Sequence, residues 1–344
     1  MTTYAILLLP SANRVYADAS PRLMSAELEV LNQSVLGGYL TDAEQSTIGG
    51  IPYLVFESPE LSEEKVSLLA NLSSIYGLFR LEGDLLAPIE LHRLDRYDDD
   101  LVTIQKYQGK TNEQFTKLLL NVTLWSSKFA DSMLTRRFSV FDPLCGRGTT
   151  LNQALMYGYD AAGTDIDKRD FDAYSTFLRT YFKRKRLKHR ADTSALRRQK
   201  RVLGRRFEAT VAPTKAEYKA GEVQSLSVSN IDVTEARSVH GANSFDLIVA
   251  DAPYGVQHGS RTDKQGLRRG PLELLTAAAP VWRELLRPGG ALGISWNTLV
   301  APREEVVTVL AEAGFEVCDS ASYREFEHRV DQSILRDVVV ARNP

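Results

Sequence analysis

FDPLCGRGTT, residues 141–150, decides the fold. Phe138 to Asp142 has the length and apolar character of a buried strand. It runs into a bend holding Gly146 and Gly148, and a helical pattern from Thr149 to Tyr157 leaves that bend. Glycines let the backbone turn sharply there and approach a ligand closely. Working outward, further strands are expected at Ala161 to Asp165, 224–230, 245–250, 291–296 and 334–341, with helices between most of them. This alternation predicts a Rossmann-like α/β sheet, mostly parallel with its last strand antiparallel, covered on both faces. Ligands bind such sheets beyond the carboxyl ends of the strands.

The bend fails the dinucleotide fingerprint, because Leu151 stands where its third glycine belongs. Asp142 also aims a carboxylate at the turn, which repels a pyrophosphate and suits a cation. A sulfonium with an amino-acid tail, S-adenosylmethionine, is a ligand of that kind, and Pro143, Cys145, Gly146, Gly148 and Thr149 form its expected cradle. Asp165 ends the next strand, at the spacing where an acid bonds ribose hydroxyls; Ile166 would flank the adenine. Asp232 would accept from the adenine amine. Helix capping is the competing reading for Asp165 and Asp232, and for Cys145 it is a small buried turn residue.

A second corner follows in FDLIVADAPYG, residues 245–255. A buried strand delivers Asp251, Ala252, Pro253 and Tyr254 to the same sheet edge. An exocyclic base amine is a poor nucleophile, because its lone pair is delocalised. A carboxylate (Asp251) and a carbonyl (Ala252) accepting its protons favour a pyramidal nitrogen and disperse the charge that builds during attack. Tyr254 can stack on the base. His258 is a weaker candidate for a late proton acceptor.

These motifs, in this order, resemble the class I S-adenosylmethionine-dependent amino-methyltransferases, whose hallmark turn appears here as Asp251-Ala252-Pro253-Tyr254. DAPYGVQHGSR (251–261) is similar to the tRNA guanosine N2-methyltransferase family, as is KYQGKTNEQFTKLLLN (106–121), which that family places against the cofactor. The resemblance therefore implies Thr111, Asn112, Gln114 and Phe115 as cofactor neighbours. Leu286 to Gly290 matches the usual turn before the fifth strand. Two departures stand out: Ala252 replaces the first proline of the hallmark, and no clear THUMP domain precedes the sheet. The implied activity is methyl transfer to an exocyclic base amine, guanine N2 in tRNA first. A DNA adenine or cytosine amino-methyltransferase and a non-catalytic RNA-binding protein on the same frame are the alternatives. A protein-glutamine methyltransferase fits less well, since its turn starts with Asn.

The chain has 344 residues, 43% apolar and 25% charged, which is ordinary globular usage and excludes disordered, collagen-like and disulfide-stapled classes. Residues 1–104 read as a small α+β domain and 105–344 as the methyltransferase domain. In the first, strands are expected at Tyr4 to Pro10, Ile51 to Phe56 and Leu85 to Leu91. One helix should follow Ser20-Pro21, and another should follow Ser58-Pro59 and reach Ile75. The formal charge of -2 conceals an asymmetry: residues 179–206 hold 13 Lys/Arg against one acid, while residues 1–100 hold 6 basic and 16 acidic side chains. The basic run lies in a connection far longer than a crossover needs, so a helical insertion at about 175–223 is expected. Lys183, Arg184, Lys185, Arg186, Lys188, Arg190 and, past the catalytic turn, Arg261 are its candidate phosphate contacts. Pairing with the acidic N-terminal domain is the competing reading. The expected partner is structured RNA, tRNA foremost, with a homodimer also admitted. Two cysteines and no signal or spanning segment suggest a soluble cytoplasmic protein without a membrane partner. No spacing suggests a metal.

Overall fold

The computed structural model describes residues 1–83, 85–198, 201–252 and 270–344; side chains 198 and 201 also lie outside the description. The first elements are β1 (Thr2–Leu8), α1 (Arg14–Ser34), β2 (Thr41–Ile48), β3 (Ile51–Ser58), α2 (Glu63–Leu69), β4 (Ile75–Glu82) and β5 (Leu85–Ile89). Their strands form an antiparallel sheet in the order β2-β3-β1-β4-β5. Leu23, Met24, Leu28 and Leu31 of α1 share its core with Ile6, Leu54 and Phe56. Two expectations are corrected here. The first helix starts at Arg14, capped by Asn13, whose side chain accepts from the Tyr16 N–H, and Pro21 lies inside it. The second helix ends at Leu69, and Ile75 opens β4, because 70–74 is a loop whose Ser73 is caught by a buried carboxylate.

That carboxylate, Glu27 on α1, accepts from the Ser73 N–H at 3.0 Å and from Asn121 Nδ2 at 2.7 Å. Burial pushes its pKa up to about 6 despite these donors. Asn121 belongs to the helix Glu113–Trp125 under the second sheet, so the junction is polar and satisfied at one point. Around it a single apolar cluster runs through both units.

The second unit contains α3 (Asp100–Thr103), α4 (Glu113–Trp125), β6 (Ser139–Asp142), α5 (Thr149–Met156), β7 (Asp160–Thr164), α6 (Lys168–Arg184), β8 (Lys188–Arg198), β9 (Arg201–Ala212), α7 (Lys215–Ala220), β10 (Gln224–Asn230), β11 (Phe245–Asp251), α8 (Pro271–Leu285), β12 (Leu286–Asn297), α9 (Arg303–Glu312), β13 (Glu316–Cys318), β14 (His328–Arg329) and β15 (Leu335–Arg342). Strand order is β13-β15-β12-β11-β6-β7-β10-β9-β8, with β14 on β15. From β12 through β10 the pairs are parallel, and β15 runs antiparallel to β12. The sheet is therefore mostly parallel, with an antiparallel last strand. Trp125, Trp282 and Trp296 are core residues.

The helical insertion is corrected. After α6 the chain forms a hairpin, β8–β9, that extends the sheet beyond β10. Alternation explains it: Phe207, Ala209 and Val211 point to one face and are buried, while Arg206 and Glu208 point to the other. α6 supplies the cover, through Phe171, Tyr174, Leu178 and Phe182.

Candidate active site

β6 and β11 are neighbours, with Val140 opposite Leu247 and Phe141 opposite Ile248. Asp142 and Asp251 thus end adjacent parallel strands, which lie about 4.8 Å apart. Asp165 follows β7 on the other side of β6, where Asp142 faces Gly163. Three carboxylates line one edge of the sheet.

Asp142 is buried, and its Oδ1 accepts from the Leu144 N–H at 3.0 Å. Burial dominates its chemistry and, with the neighbouring Asp251 and Asp165 charges, pushes its pKa up to about 7 against the Leu144 and Thr150 hydrogen bonds. The bend behind it is tightly built. Gly146 and Gly148 have φ of 48° and 79°, and a Cβ on Gly148 would come within 2.1 Å of the Tyr174 ring. A Cβ on Gly146 would meet nothing within 4 Å, so no side chain crowds that side of the bend. The Thr164 hydroxyl donates to the Pro143 carbonyl at 2.7 Å. Cys145 is buried against Gly163, a core position in the turn. Thr149 shares a 3.2 Å hydroxyl contact with Tyr107.

Asp165 accepts from the Gly146 N–H at 2.8 Å on one oxygen and from the Asp167 N–H at 2.7 Å on the other. Burial pushes its pKa up to about 6. Each oxygen keeps a lone pair for a diol. Ile166 beside it is 71% exposed, an apolar side chain open to a ring. Asn230 Nδ2 donates to the Asp165 and Ile166 carbonyls at 2.9 and 3.1 Å, a brace the sequence reading missed. Asp232 caps the turn that follows it: Oδ1 accepts from the Thr234 N–H at 2.9 Å. A glycine bend uncrowded by side chains, the exposed Ile166 side chain and carboxylates that form no ion pair among the described residues fit S-adenosylmethionine: Asp142 suits its charged end, Asp165 its ribose, Ile166 its adenine.

At the second corner the Asp251 carboxylate accepts the Thr111 hydroxyl on Oδ2 and the Ser295 hydroxyl on Oδ1. Ala252 donates its N–H to the Ser295 carbonyl at 2.8 Å and is buried. A proline has no N–H and would lose that bond. The departure from the hallmark therefore ties the turn to β12 by one more ladder bond. Pro253, Tyr254, His258 and Arg261 lie outside the described residues.

The residues implied as cofactor neighbours before α4 have protein partners of their own. Thr111 gives its hydroxyl to Asp251. Asn112 caps α4 at Phe115 N, 3.1 Å, and its Nδ2 donates to Ser11 Oγ at 3.0 Å. Gln114 donates to the Leu9 carbonyl at 3.0 Å. Phe115 is a wholly buried core ring, with the Arg336 guanidinium 4.2 Å from its centroid. These side chains join the N-terminal sheet to the corner. Ser295 was missed altogether; its signal was a hydroxyl inside the apolar run ALGISWN (291–297).

Among the candidate phosphate contacts, Lys183, Arg184, Arg186, Lys188 and Arg190 are exposed. Lys185 is corrected: its ammonium lies 2.7 Å from both Asp98 and Asp100, which is the internal pairing the acidic boundary offered. Arg190 also borders a cavity of about 640 Å³ with Asp160, Asp192, Arg206 and Glu208. Ser139, Asp160 and Phe245, at the amino ends of their strands, line it too, so it is not the carboxyl-edge site. Among the described residues, no group of His, Cys, Asp and Glu is placed to hold a metal, and no helix is long and apolar enough to cross a membrane.

Residues 120–284 match the family described as RMKL-like, methyltransferase domain. That stretch holds both corners but neither Thr111 nor Ser295. No curated protein matches the chain. Among solved structures it is similar to TrmN from Thermus thermophilus, at 13% identity over 99% of this chain and 99% of that one, with a TM-score of 0.45. A TehB-like SAM-dependent methyltransferase from Corynebacterium glutamicum aligns at 16% identity over 63% of this chain and 86% of its own, TM-score 0.33. The 1,6-didemethyltoxoflavin-N1-methyltransferase of Burkholderia thailandensis, bound to S-adenosylhomocysteine, aligns at 16% identity over 61% and 72%, TM-score 0.35.

Proposed function

We infer that this chain, whose residues 120–284 match the RMKL-like methyltransferase domain family, is an S-adenosylmethionine-dependent methyltransferase that acts on an exocyclic base amine of structured RNA, guanine N2 in tRNA foremost. The observation that carries the inference is Asp251 at the end of the strand beside the one ending in Asp142. When bound, S-adenosylmethionine supplies a methyl group on a positively charged sulfur.

The chain's own groups do the rest. Asp142, the Gly146 bend and Asp165 would hold the donor. Asp251 and the Ala252 carbonyl accept the protons of the amine and offset the positive charge that builds on its nitrogen. The proton released afterwards leaves along the Asp251 carboxylate to water. Holding the nitrogen in line with the methyl supplies much of the acceleration through proximity. Tyr254 is the proposed stacking partner for a base taken out of its stack.

Lys183, Arg184, Arg186, Lys188 and Arg190 are the proposed phosphate contacts at the end of α6 and along β8. Alanine at Arg184 and Lys188 should weaken RNA binding and lower the salt slope by about one per lost contact, while Lys185→Ala should leave it unchanged. Filter binding over a salt series reads both. The deciding experiment is mass spectrometry of nucleosides from a strain lacking the protein. A missing N2-methylguanosine supports the reading; intact RNA with a missing methylated DNA base points to the DNA alternative. Absence of S-adenosylmethionine binding by calorimetry would favour the non-catalytic one.

A further inference from the structure

The side chain of an aspartate is a soft rotor, because rotation about its second torsion is broad and roughly two-fold. An acceptor that must meet two protons of one amine cannot be left to rotate. Asp251 is not: Thr111 donates to one oxygen and Ser295 to the other, from segments 140 residues upstream and 44 downstream. Ser295 is wholly buried on β12 and sits opposite Asp251 in the ladder. Its carbonyl also receives the Ala252 N–H. Thr111 is equally placed. Asn112 next to it caps α4 and reaches Ser11, and Gln114 reaches the Leu9 carbonyl, so the loop after β1 fixes where the Thr111 hydroxyl stands.

We propose that Thr111 and Ser295 are positioning residues that lock the plane of the Asp251 carboxylate, and that the N-terminal sheet serves the reaction by holding Thr111 in place. The proposal rests on the amine-methylation reading above. A carboxylate offers about four lone-pair sites, so a hydroxyl on each oxygen fixes the plane of the group without using up its capacity to accept. The carboxylate stays an acceptor, with its orientation set before substrate arrives. Hydrogen bonds to a charged group are among the stronger ones in proteins, which suits a task of orientation.

The full chain tests this with Thr111→Val, Thr111→Ser, Ser295→Ala and Asp251→Ala, alone and combined, using total RNA from a strain lacking the protein. Thr111→Val should lower kcat about ten- to hundred-fold, with RNA KM and S-adenosylmethionine affinity unchanged. Thr111→Ser, which keeps the hydroxyl, should restore most of the loss, and Ser295→Ala should resemble Thr111→Val. In the Asp251→Ala protein, Thr111→Val should cost nothing further. Equal losses in Thr111→Ser and Thr111→Val, additive losses with Asp251→Ala, or a fall in cofactor affinity would overturn the proposal, the last by returning Thr111 to the cofactor. If the wild type methylates no exocyclic amine, the functional reading fails on its own. The same variants then decide by melting temperature: a Thr111→Val decrease that vanishes in Asp251→Ala supports the lock, and an unchanged decrease refutes it. Should Thr111→Val not fold, Ser295→Ala carries the same cycle.

Discussion

The two corners of the site use carboxylates in opposite ways. Asp142 is buried and Asp165 half-buried; both receive mainly backbone N–H groups from a neighbouring turn and have their pKa values pushed up to about 7 and about 6. Asp251 is gripped by two side-chain hydroxyls from remote segments. The first arrangement makes the anionic form costly, a cost that a bound cation would offset. The second holds one anion still. A donor site needs affinity, which unrelieved charge provides; an acceptor site needs aim, which fixed geometry provides.

The largest expected effect breaks the comparison at the acceptor corner. Asp251→Ala should lower methyl transfer about 100- to 1,000-fold while cofactor affinity stays near wild type, by analogy with removing one pre-placed polar group from an active site. Labelled methyl transfer and calorimetry read the two. If both fall together, Asp251 supports the donor site and the division of labour is wrong.

Asp142→Asn should do the reverse, weakening S-adenosylmethionine binding about ten- to hundred-fold with kcat at saturating cofactor less affected. The pH dependence sharpens this. A folded pKa of about 7 lies above the ordinary carboxyl value, so the folded state favours the protonated form. The stability this contributes is complete below about pH 4 and is lost as pH rises through about 7. The cofactor-free protein should therefore melt at a lower temperature at pH 8 than at pH 5, and Asp142→Asn should flatten that slope. Cofactor affinity should move the other way and fall as pH drops below about 7, because a neutral carboxyl no longer attracts a cation.

The smallest effect concerns the tie between turn and sheet. Ala252→Pro removes the N–H that bonds the Ser295 carbonyl, a loss of about 1 kcal/mol. It should lower the melting temperature by a few degrees and kcat a few-fold; an unchanged enzyme would mean the turn is held by other contacts.

The carboxylate-tipped strands and the glycine bend are legible in the amino-acid sequence, down to Asp142, Asp165 and Asp251 at strand ends. The basic hairpin is not. KHRADTSALRR (188–198) has little apolar alternation of its own, and its strand character rests on pairing with β9 and on cover from α6. Lys185 likewise reads as one more phosphate contact, yet the fold brings it to Asp98 and Asp100. Charge density along a sequence does not say which charges the fold neutralises.

Sequence alone determined the strand–turn–helix alternation around the two corners and the residue types at those strand ends, because periodicity and turn chemistry act between near neighbours in the chain. Tertiary structure alone decided who holds Asp251, that Ala252 bonds to β12, and that residues 9–11 reach the helix before the site. Those contacts join residues tens to hundreds of positions apart, and they exist only once strand order and register have placed β6, β11 and β12 side by side.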